Sequence, residues 1–280
     1  MKIGAMIFAT DQTIAIPRLA QEMEARGFES LWIPEKTHLP VSRRTPWPGG
    51  KLPEWYKRTS DPFLVLAAAA SVTTKLRLGT GVAMIPLRDP IITAKEVATL
   101  DMLSAGRFEF GVGYGWNAEE FESHGVDIAH APDIMADKIG LMKALWTEEE
   151  GSFQSAHANV EPSWSWPKPV QSPYPSIHLG ARYTKRAFRD IANYGNGWIP
   201  IEGFGDIVGH IPKLREAFAE VGRDPDSAIV SVYSSMGDLK MIEQYQAADI
   251  ERIVLTLPAG PEKDVIDALD DYARGLSLAP

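Results

Sequence analysis

The stretch LRLGTGVAMIPLRDPIITAKEVATLDMLSAGRFEFGVG, Leu76–Gly113, decides the fold of this chain. It begins with an apolar run, Leu76–Ile85, that is typical of a buried strand. Apolar residues at helical spacing follow over Thr93–Leu103, and Gly106 ends that pattern. A second apolar run, Arg107–Gly113, comes next. Two buried runs joined by a helix predict two parallel strands connected by a crossover helix.

The same alternation continues on both sides of this stretch. Six further apolar runs are predicted strands: Lys2–Ala9, Ser30–Pro34, Ser176–Gly180, Gly197–Ile201, Ala228–Tyr233 and Arg252–Leu257. The other helical patterns cover Thr13–Arg26, Phe63–Val72, Asn117–Ser123, Ile134–Trp146, Thr184–Tyr194, Asp206–Val221, Leu239–Ala247 and Lys263–Ala273. Eight strand–helix units in 280 residues predict an α/β fold, a single (β/α)8 TIM barrel domain over residues 1–280. An open doubly wound sheet, which usually has fewer strands, is the alternative.

Two insertions interrupt the alternation. Leu39–Asp61 follows the second strand, has little periodicity, and is predicted to be a lid at the C-terminal mouth of the barrel. Gly151–Pro175, before the fifth strand, is rich in Pro and Trp and is predicted to be an irregular insertion. An ordered surface segment packed on the barrel or on a second subunit is the alternative for the lid. Its basic residues either line a groove for a polar cofactor tail or are simply solvated: Arg43, Arg44, Lys51, Lys57 and Arg58.

Composition excludes several classes of function. Lys and Arg number 28 against 37 Asp and Glu, so the net charge is −9, which disfavours nucleic acid or an anionic membrane surface as a partner. The absence of Cys excludes disulfides, thiolate metal sites and cysteine nucleophiles. The six His residues are nowhere two to four positions apart, so no metal site is expected. With no apolar run of membrane-spanning length and no signal-peptide pattern, the expected location is the cytoplasm.

Candidate site residues follow from position in the barrel, since active sites lie where strands end. This rule selects Glu35 and His38, and a histidine side chain can exchange a proton near neutral pH. It also selects two glycine-containing strand ends, GVGYGW at Gly111–Trp116 and GARYT at Gly180–Thr184. Glycine permits close backbone approach to a ligand, and a helix that begins after Thr184 offers N–H groups to a phosphate. An ordinary strand-end turn and an ordinary helix cap are the alternatives.

A longer block, Leu76–Asp127, resembles the signature of the bacterial luciferase-like flavin and deazaflavin oxidoreductases. Further matches are LWIPEKTHLP at Leu31–Pro40, HLGA at His178–Ala181 with TKRAF at Thr184–Phe188, and YGNGWIPI at Tyr194–Ile201. The resemblance therefore spans most of the chain. Within the luciferase-like monooxygenase superfamily, the chain is most similar to the subgroup predicted to use coenzyme F420.

This resemblance implies a barrel that binds a flavin-type ring at its mouth and a phosphate near residue 182. The residues implied to bind the cofactor are Thr80, Gly81, Val82, Gly113, Tyr114, Gly115, Trp116, Gly180, Ala181, Arg182, Tyr183 and Thr184. A non-prolyl cis peptide is implied at Gly81–Val82, with Glu35 and His38 as catalytic residues at the reacting edge of the ring. The implied reaction is hydride transfer between reduced F420 and an unknown small organic substrate, in a homodimer.

The sequence departs from the family pattern at two places. Lys36 stands where relatives commonly have His, and Ala181 and Arg182 stand in a phosphate loop that is usually richer in glycine. Three other functions therefore stay open. One is an FMN-dependent monooxygenase that uses reduced FMN and oxygen, and another is a flavin-binding barrel without turnover. The third is a metal-dependent barrel hydrolase built from residues distant in sequence.

Overall fold

Parallel strands form a closed ring in the computed structural model, which describes residues 1–279. Over these residues the strands are β1 (Lys2–Met6), β2 (Ser30–Ile33), β3 (Arg77–Thr80), β4 (Ala83–Met84), β5 (Phe108–Gly113), β6 (Gly151–Gln154), β7 (Asn159–Ser163), β8 (Ile177–Gly180), β9 (Gly197–Trp198), β10 (Ile229–Ser235) and β11 (Arg252–Thr256). The ring runs β1, β2, β3, β5, β8, β9, β10, β11, and β11 pairs with β1. The short β4 continues β3 and also pairs with β5. The predicted (β/α)8 barrel is confirmed, and the doubly wound alternative is wrong.

Helices follow every strand of the ring and cover it from outside. They are α1 (Ile16–Ala25), α2 (Pro62–Ala70), α3 (Pro90–Leu103), α4 (Ala118–Ser123), α5 (Ala131–Thr147), α6 (Lys185–Tyr194), α7 (Ile207–Glu220), α8 (Leu239–Ala247) and α9 (Glu262–Gly275). Each lies within three residues of its predicted bounds. Local chemistry explains the starts, since Asp61 accepts a hydrogen bond from Leu64 N at 3.0 Å and Pro62 opens α2.

Three segments differ in detail from the sequence-based expectation. The apolar run Leu76–Ile85 is not one strand, because a cis peptide at Gly81–Val82 separates β3 from β4. Gly151–Pro175 is not irregular throughout, because it begins with the antiparallel hairpin β6–β7. Both hairpin strands are largely exposed, so their polar residues resemble a loop in sequence. Leu39–Asp61 contains a single 3-10 helix, Glu54–Arg58.

Charged side chains fill the barrel interior at the N-terminal ends of the strands. Arg252 donates to Glu29 at 2.7 Å and to Glu109 at 3.2 Å. Glu109 also accepts from Arg77, and its second oxygen lies 2.7 Å from His178 Nε2. Burial by itself would raise the pKa of Glu109, but these neighbours outweigh burial and hold that pKa well below its ordinary value. Glu109 is therefore the ionised centre of a buried network.

Trp32 fills the middle of the barrel, between this network and the mouth. The ring is fully buried, and a Cβ atom at Gly79 would lie 2.4 Å from it, so glycine is needed on the neighbouring strand. Its Nε1 donates to Ser30 Oγ at 2.9 Å. Tyr233 meets the indole edge-on with ring centres 6.4 Å apart. This packing fills the barrel interior directly below the mouth.

Replacing Glu109 tests whether the network stabilises the fold. Glu109→Gln leaves Arg252 and Arg77 without their shared carboxylate, and removing one partner of a buried ion pair costs about 3–5 kcal/mol. A carboxyl with a lowered pKa stabilises the fold above its unfolded pKa, so the difference from wild type should narrow as pH falls below 4.5. Thermal unfolding from pH 7 to pH 2.5 measures this. Exposed Glu243→Gln is the control, and equal unfolding temperatures for wild type and Glu109→Gln would contradict the prediction.

Candidate active site

Val82 contacts two other predicted site residues, Gly113 and Gly180, at the C-terminal mouth. Strands β5 and β8 place Gly113 opposite Gly180. A Cβ atom on Gly113 would lie 2.5 Å from Val82 Cγ2, and one on Gly180 would lie 2.8 Å from Val82 Cγ1. The valine side chain therefore occupies space that only glycine leaves free on both strands. Val82, Gly113 and Gly180 form one contact surface.

The cis peptide at Gly81–Val82, implied by the resemblance, is present. Thr80 supports it by donating from Oγ1 to Gly111 O at 2.7 Å. On the other side, a Cβ atom at Gly81 would lie 2.3 Å from the Tyr233 hydroxyl. That hydroxyl is buried and has no hydrogen-bond partner among residues 1–279, and burial raises the pKa of Tyr233. A neutral, unused donor thus lies directly under the cis peptide.

Glu35 is buried and already has strong partners. Its Oε2 accepts from Met84 N at 2.6 Å, and its Oε1 pairs with Arg88. Arg88 in turn donates to Glu96 at 2.7 Å. Burial raises the pKa of Glu35, opposed by Arg88 and by the N–H of Met84. These contacts fix the end of β2 to the chain just after the cis peptide, and the predicted catalytic role of Glu35 stays a prediction.

His38 lies on the surface of the mouth. Its Nδ1 is 3.2 Å from Thr37 Oγ1, and its ring centre is 5.4 Å from that of His124. Over the described chain His38 and Glu35 share no hydrogen bond, so the structure does not bring the two predicted catalytic residues together as a pair. The proton-transfer role of His38 also stays a prediction.

A buried ion pair that sequence reasoning missed lies at the same rim. Lys36 Nζ pairs with Glu120, and the two side chains are 4% and 0% exposed. The ammonium also lies 5.1 Å from the centre of the Trp116 ring. Burial lowers the pKa of Lys36, opposed by Glu120. Within residues 1–279, Glu120 Oε1 and Asn117 Nδ2 lack hydrogen-bond partners.

Glu120 was missed because an acidic residue in the first turn of a helix is ordinary and favours the helix dipole. The signal available was its position, just after the strand end that carries Gly113 and Trp116. Lys36 was noted only as a departure from a family pattern. The fold brings these residues together by placing the ends of β2 and β5 on the same rim.

The segment around Gly180–Thr184 forms the other side of the mouth. Thr184 Oγ1 accepts from Ala187 N at 2.9 Å, which confirms the predicted N-cap of α6. Arg182 lies over the Phe204 ring at 4.7 Å, and Lys213 lies over the Tyr183 ring at 4.7 Å. Among the described residues no carboxylate pairs with Arg182, Lys185 or Lys213. This rim carries free positive charge.

Tyr114 links the two sides. Its hydroxyl donates to Asp190 on α6 at 2.7 Å, and Asp190 also binds Arg186. Gly115 follows with a φ of +88°, where a Cβ atom would lie 2.6 Å from Phe121. Glycine at 115 therefore lets the β5 loop turn toward α4 and the buried Lys36.

Two aromatic residues of the Leu39–Asp61 segment pack toward the chain that follows β1. Tyr56 packs on Phe8 with ring centres 4.7 Å apart, and Trp47 packs on Tyr56 at 5.5 Å. Three of its five basic residues are paired with acids, namely Arg44 with Glu122, Lys57 with Glu54, and Arg58 with Asp11. These pairings favour solvated charges over a cofactor groove at this position.

The described residues contain neither a metal-binding cluster nor a membrane-spanning helix. Across residues 1–279 no group of three His, Asp or Glu side chains is placed to hold a metal ion. No described helix combines the length and apolarity needed to cross a membrane.

Barrel enzymes of this class carry their active sites at the C-terminal ends of the strands, where this chain has Gly113, Gly180 and the buried Lys36–Glu120 pair. A family model described as "Luciferase-like monooxygenase" matches residues 4–238. The chain therefore belongs to the luciferase-like monooxygenase family, whose members are oxidoreductases and monooxygenases. The predicted family is confirmed.

Individual relatives extend this result. A protein of Mycobacterium tuberculosis strain H37Rv, described as uncharacterized protein Rv0953c, is 39% identical over 236 residues, which cover 83% of each chain. The crystal structure of monooxygenase RslO1 from Streptomyces bottropensis has a TM-score of 0.81 at 19% identity, covering 99% of each chain. An F420-dependent secondary alcohol dehydrogenase, in complex with an F420–acetone adduct, has a TM-score of 0.76 at 17% identity, covering 100% of each chain. At these identities the two structures share the fold with this chain.

A methyl group at Gly113 tests the contact with Val82. Gly113→Ala should destabilise the protein by about 1–3 kcal/mol, because overpacking displaces well-packed neighbours. The second substitution Val82→Ala should restore most of that loss, since it removes the atoms that clash. Urea unfolding measures both, with Gly275→Ala as the control because its Cβ would meet nothing within 4 Å. Equal losses in the single and double variants would contradict the contact.

Proposed function

We propose that this protein is an F420-dependent oxidoreductase that transfers a hydride between F420 and a small organic substrate. The observation that carries the proposal is the buried Lys36–Glu120 pair at the mouth, beside Trp116. When a substrate carbon gives up a hydride, an adjacent O–H or N–H must lose a proton. A buried pair with one unpartnered carboxylate oxygen suits that proton.

The residues present fit a flat ring with a phosphorylated tail. Val82 packs on the bare backbones of Gly113 and Gly180, which gives the mouth an apolar surface against which a flat ring can lie. Thr184 caps the N-terminus of α6 by accepting one backbone N–H, and the remaining N–H groups of the first turn suit a phosphate. The unused Tyr233 hydroxyl offers a hydrogen bond from below. F420, when bound, supplies the carbon centre that accepts or gives the hydride.

The chain's own residues then do the remaining work. Glu120 Oε1 accepts the proton of a substrate hydroxyl during oxidation and returns that proton to the substrate oxygen during reduction, while Lys36 holds the other carboxylate oxygen in place. Trp116 covers the ammonium, and Tyr56 with Phe8 keeps water from the mouth. Excluding water strengthens the attraction between the paired charges.

Free charge at the α6 rim supports F420 over FMN. F420 has a long polar, anionic tail, whereas FMN ends at its phosphate. Arg182, Lys185 and Lys213 have no carboxylate partner in the described chain, so they are free to bind anionic groups in addition to a phosphate. The fold shared with an F420-dependent alcohol dehydrogenase supports the same choice. The fold shared with a monooxygenase supports the second candidate, an FMN-dependent monooxygenase.

Anaerobic turnover with F420 and a panel of small alcohols and carbonyl compounds tests the proposal. We expect oxidation or reduction of F420, followed by its visible absorbance, to depend on a substrate. Turnover only with reduced FMN and oxygen would establish the second candidate instead. Binding without turnover across the panel would favour the non-catalytic barrel.

Glu120→Gln separates the roles of the site residues. It should lower kcat by about 100-fold or more, the usual contribution of general acid–base catalysis, with cofactor affinity nearly unchanged. Exposed Glu122→Gln on the same helix should keep full activity. His38→Ala should also lower turnover more than cofactor affinity, as expected of a proton donor. Full activity in Glu120→Gln would assign proton transfer to another residue.

We further propose that the protein is a homodimer through the outer face of α2 and α3. Leu64 and Ile92 on this face are 74% and 62% exposed, and Trp164 beside it is 75% exposed. Together with their neighbours they line an apolar groove of about 620 Å³. Such a contiguous patch indicates a protein partner. Its lining carries one Lys and one Glu, whose charges cancel, so two acidic chains meet here without repulsion.

A charge placed on this face tests the homodimer. Leu64→Glu should convert the dimer to a monomer, because burying an unpaired carboxylate is unfavourable. Light scattering after size-exclusion chromatography measures the mass. Val41→Glu, at a residue that is 96% exposed on the lid segment, should leave the dimer intact. A monomeric wild type would contradict the proposal.

A further inference from the structure

Two neighbouring carboxylates on α4 bind two different parts of the mouth. Glu120 points inward to Lys36. Glu119 is 4% exposed, and its Oε1 accepts from Ser42 Oγ and from Thr45 N, both at 3.2 Å. Thr45 Oγ1 accepts in return from the backbone N–H of residue 118 at 3.3 Å. The start of α4 thus holds the first part of the Leu39–Asp61 segment.

The far end of the same segment is fixed to the chain just after β1. Ser60 N donates to Ala9 O at 2.8 Å, and Arg58 donates to Asp11 at 2.7 Å. Between the two attachments, Tyr56 packs on Phe8 with tilted rings whose centres are 4.7 Å apart. The segment is therefore a strap held at both ends.

The two attachments differ in what they adjoin. The attachment after β1 shares no residue with the buried Lys36–Glu120 pair, and its residues are distant from that pair in the sequence. The one on α4 is formed by the residue directly before Glu120, so any displacement of the first turn of α4 moves both carboxylates. Hydrogen bonds from Thr45 and Ser42 lower the pKa of Glu119 to about 2, so the carboxylate is ionised at neutral pH.

We propose that Glu119 is a positioning residue that latches the Leu39–Asp61 segment to α4 and thereby keeps water from the Lys36–Glu120 pair. This inference rests on the proposed function for the importance of that pair. The latch itself is a property of the protein without cofactor. Closure of the segment over a bound substrate and shielding of the proton-transfer pair are then one event, carried by adjacent residues of one short helix.

Glu119→Ala tests the latch, with Glu122→Ala as the matched control. Glu122 lies on the same helix and pairs with Arg44 of the same segment, but that pair is exposed. Hydrogen exchange of the protein without cofactor should become about tenfold faster over residues 42–57 in Glu119→Ala and stay unchanged in Glu122→Ala. Exchange in the barrel strands and the unfolding temperature should match wild type in both.

Labelling of Lys36 by an amine-reactive reagent tests the coupling. Its ammonium is nearly inaccessible, so mass spectrometry should show slow labelling in wild type and several-fold faster labelling in Glu119→Ala. The conservative Glu119→Gln keeps an oxygen that accepts from Thr45, so it should restore slow labelling and slow exchange. If Glu119→Ala unfolds, Ser42→Ala takes its place, because it removes the Ser42 Oγ donor to Glu119 Oε1 and should also speed exchange and labelling.

Three results would overturn the inference: wild-type exchange and labelling in Glu119→Ala, equal acceleration in Glu122→Ala, or faster exchange without faster Lys36 labelling. None of these measurements needs cofactor or turnover. A protein that shows the latch but neither binds nor turns over F420 would disprove the proposed function and leave the latch standing. A protein that turns over F420 without the latch would do the reverse.

Discussion

Val82 packed against the bare backbones of Gly113 and Gly180 is the contact on which the mouth of this barrel depends. A side chain on either glycine would occupy the valine's place, at 2.5 and 2.8 Å from its methyl groups. The pairing of β5 with β8 sets the two glycines opposite each other, so the contact requires closure of the ring. Tyr233 and Trp32 support it from below.

Buried charge is used in two different ways at the two ends of the barrel. At the base, Glu109 is surrounded by Arg252, Arg77 and His178, and both of its carboxylate oxygens have partners. At the mouth, Glu120 has one partner and leaves an oxygen unpaired within the described residues. An unpaired buried oxygen costs stability, and such costs concentrate at functional sites. The Glu109 network at the base therefore stabilises the fold, whereas the unpaired oxygen of Glu120 at the mouth is available to accept a hydrogen bond or a proton.

Most of the fold could be predicted from the sequence, because strands buried on both faces are continuous apolar runs and each helix has caps or a periodic apolar face. The glycine-rich strand ends were also visible, since position in a barrel marks them. The Lys36–Glu120 pair was not, because its two residues are 84 positions apart and only closure of the ring brings them together. The hairpin in 151–175 was missed because its strands are exposed and lack a buried face.

We propose that this mouth holds a flat redox cofactor whose anionic tail lies at the start of α6. Parallel binding titrations of F420 and FMN, followed by cofactor fluorescence, test it most directly. We expect saturable binding of one F420 per chain, weaker binding of FMN, and weakened F420 binding after Arg182→Ala. Failure of the wild-type protein to bind either compound would contradict it.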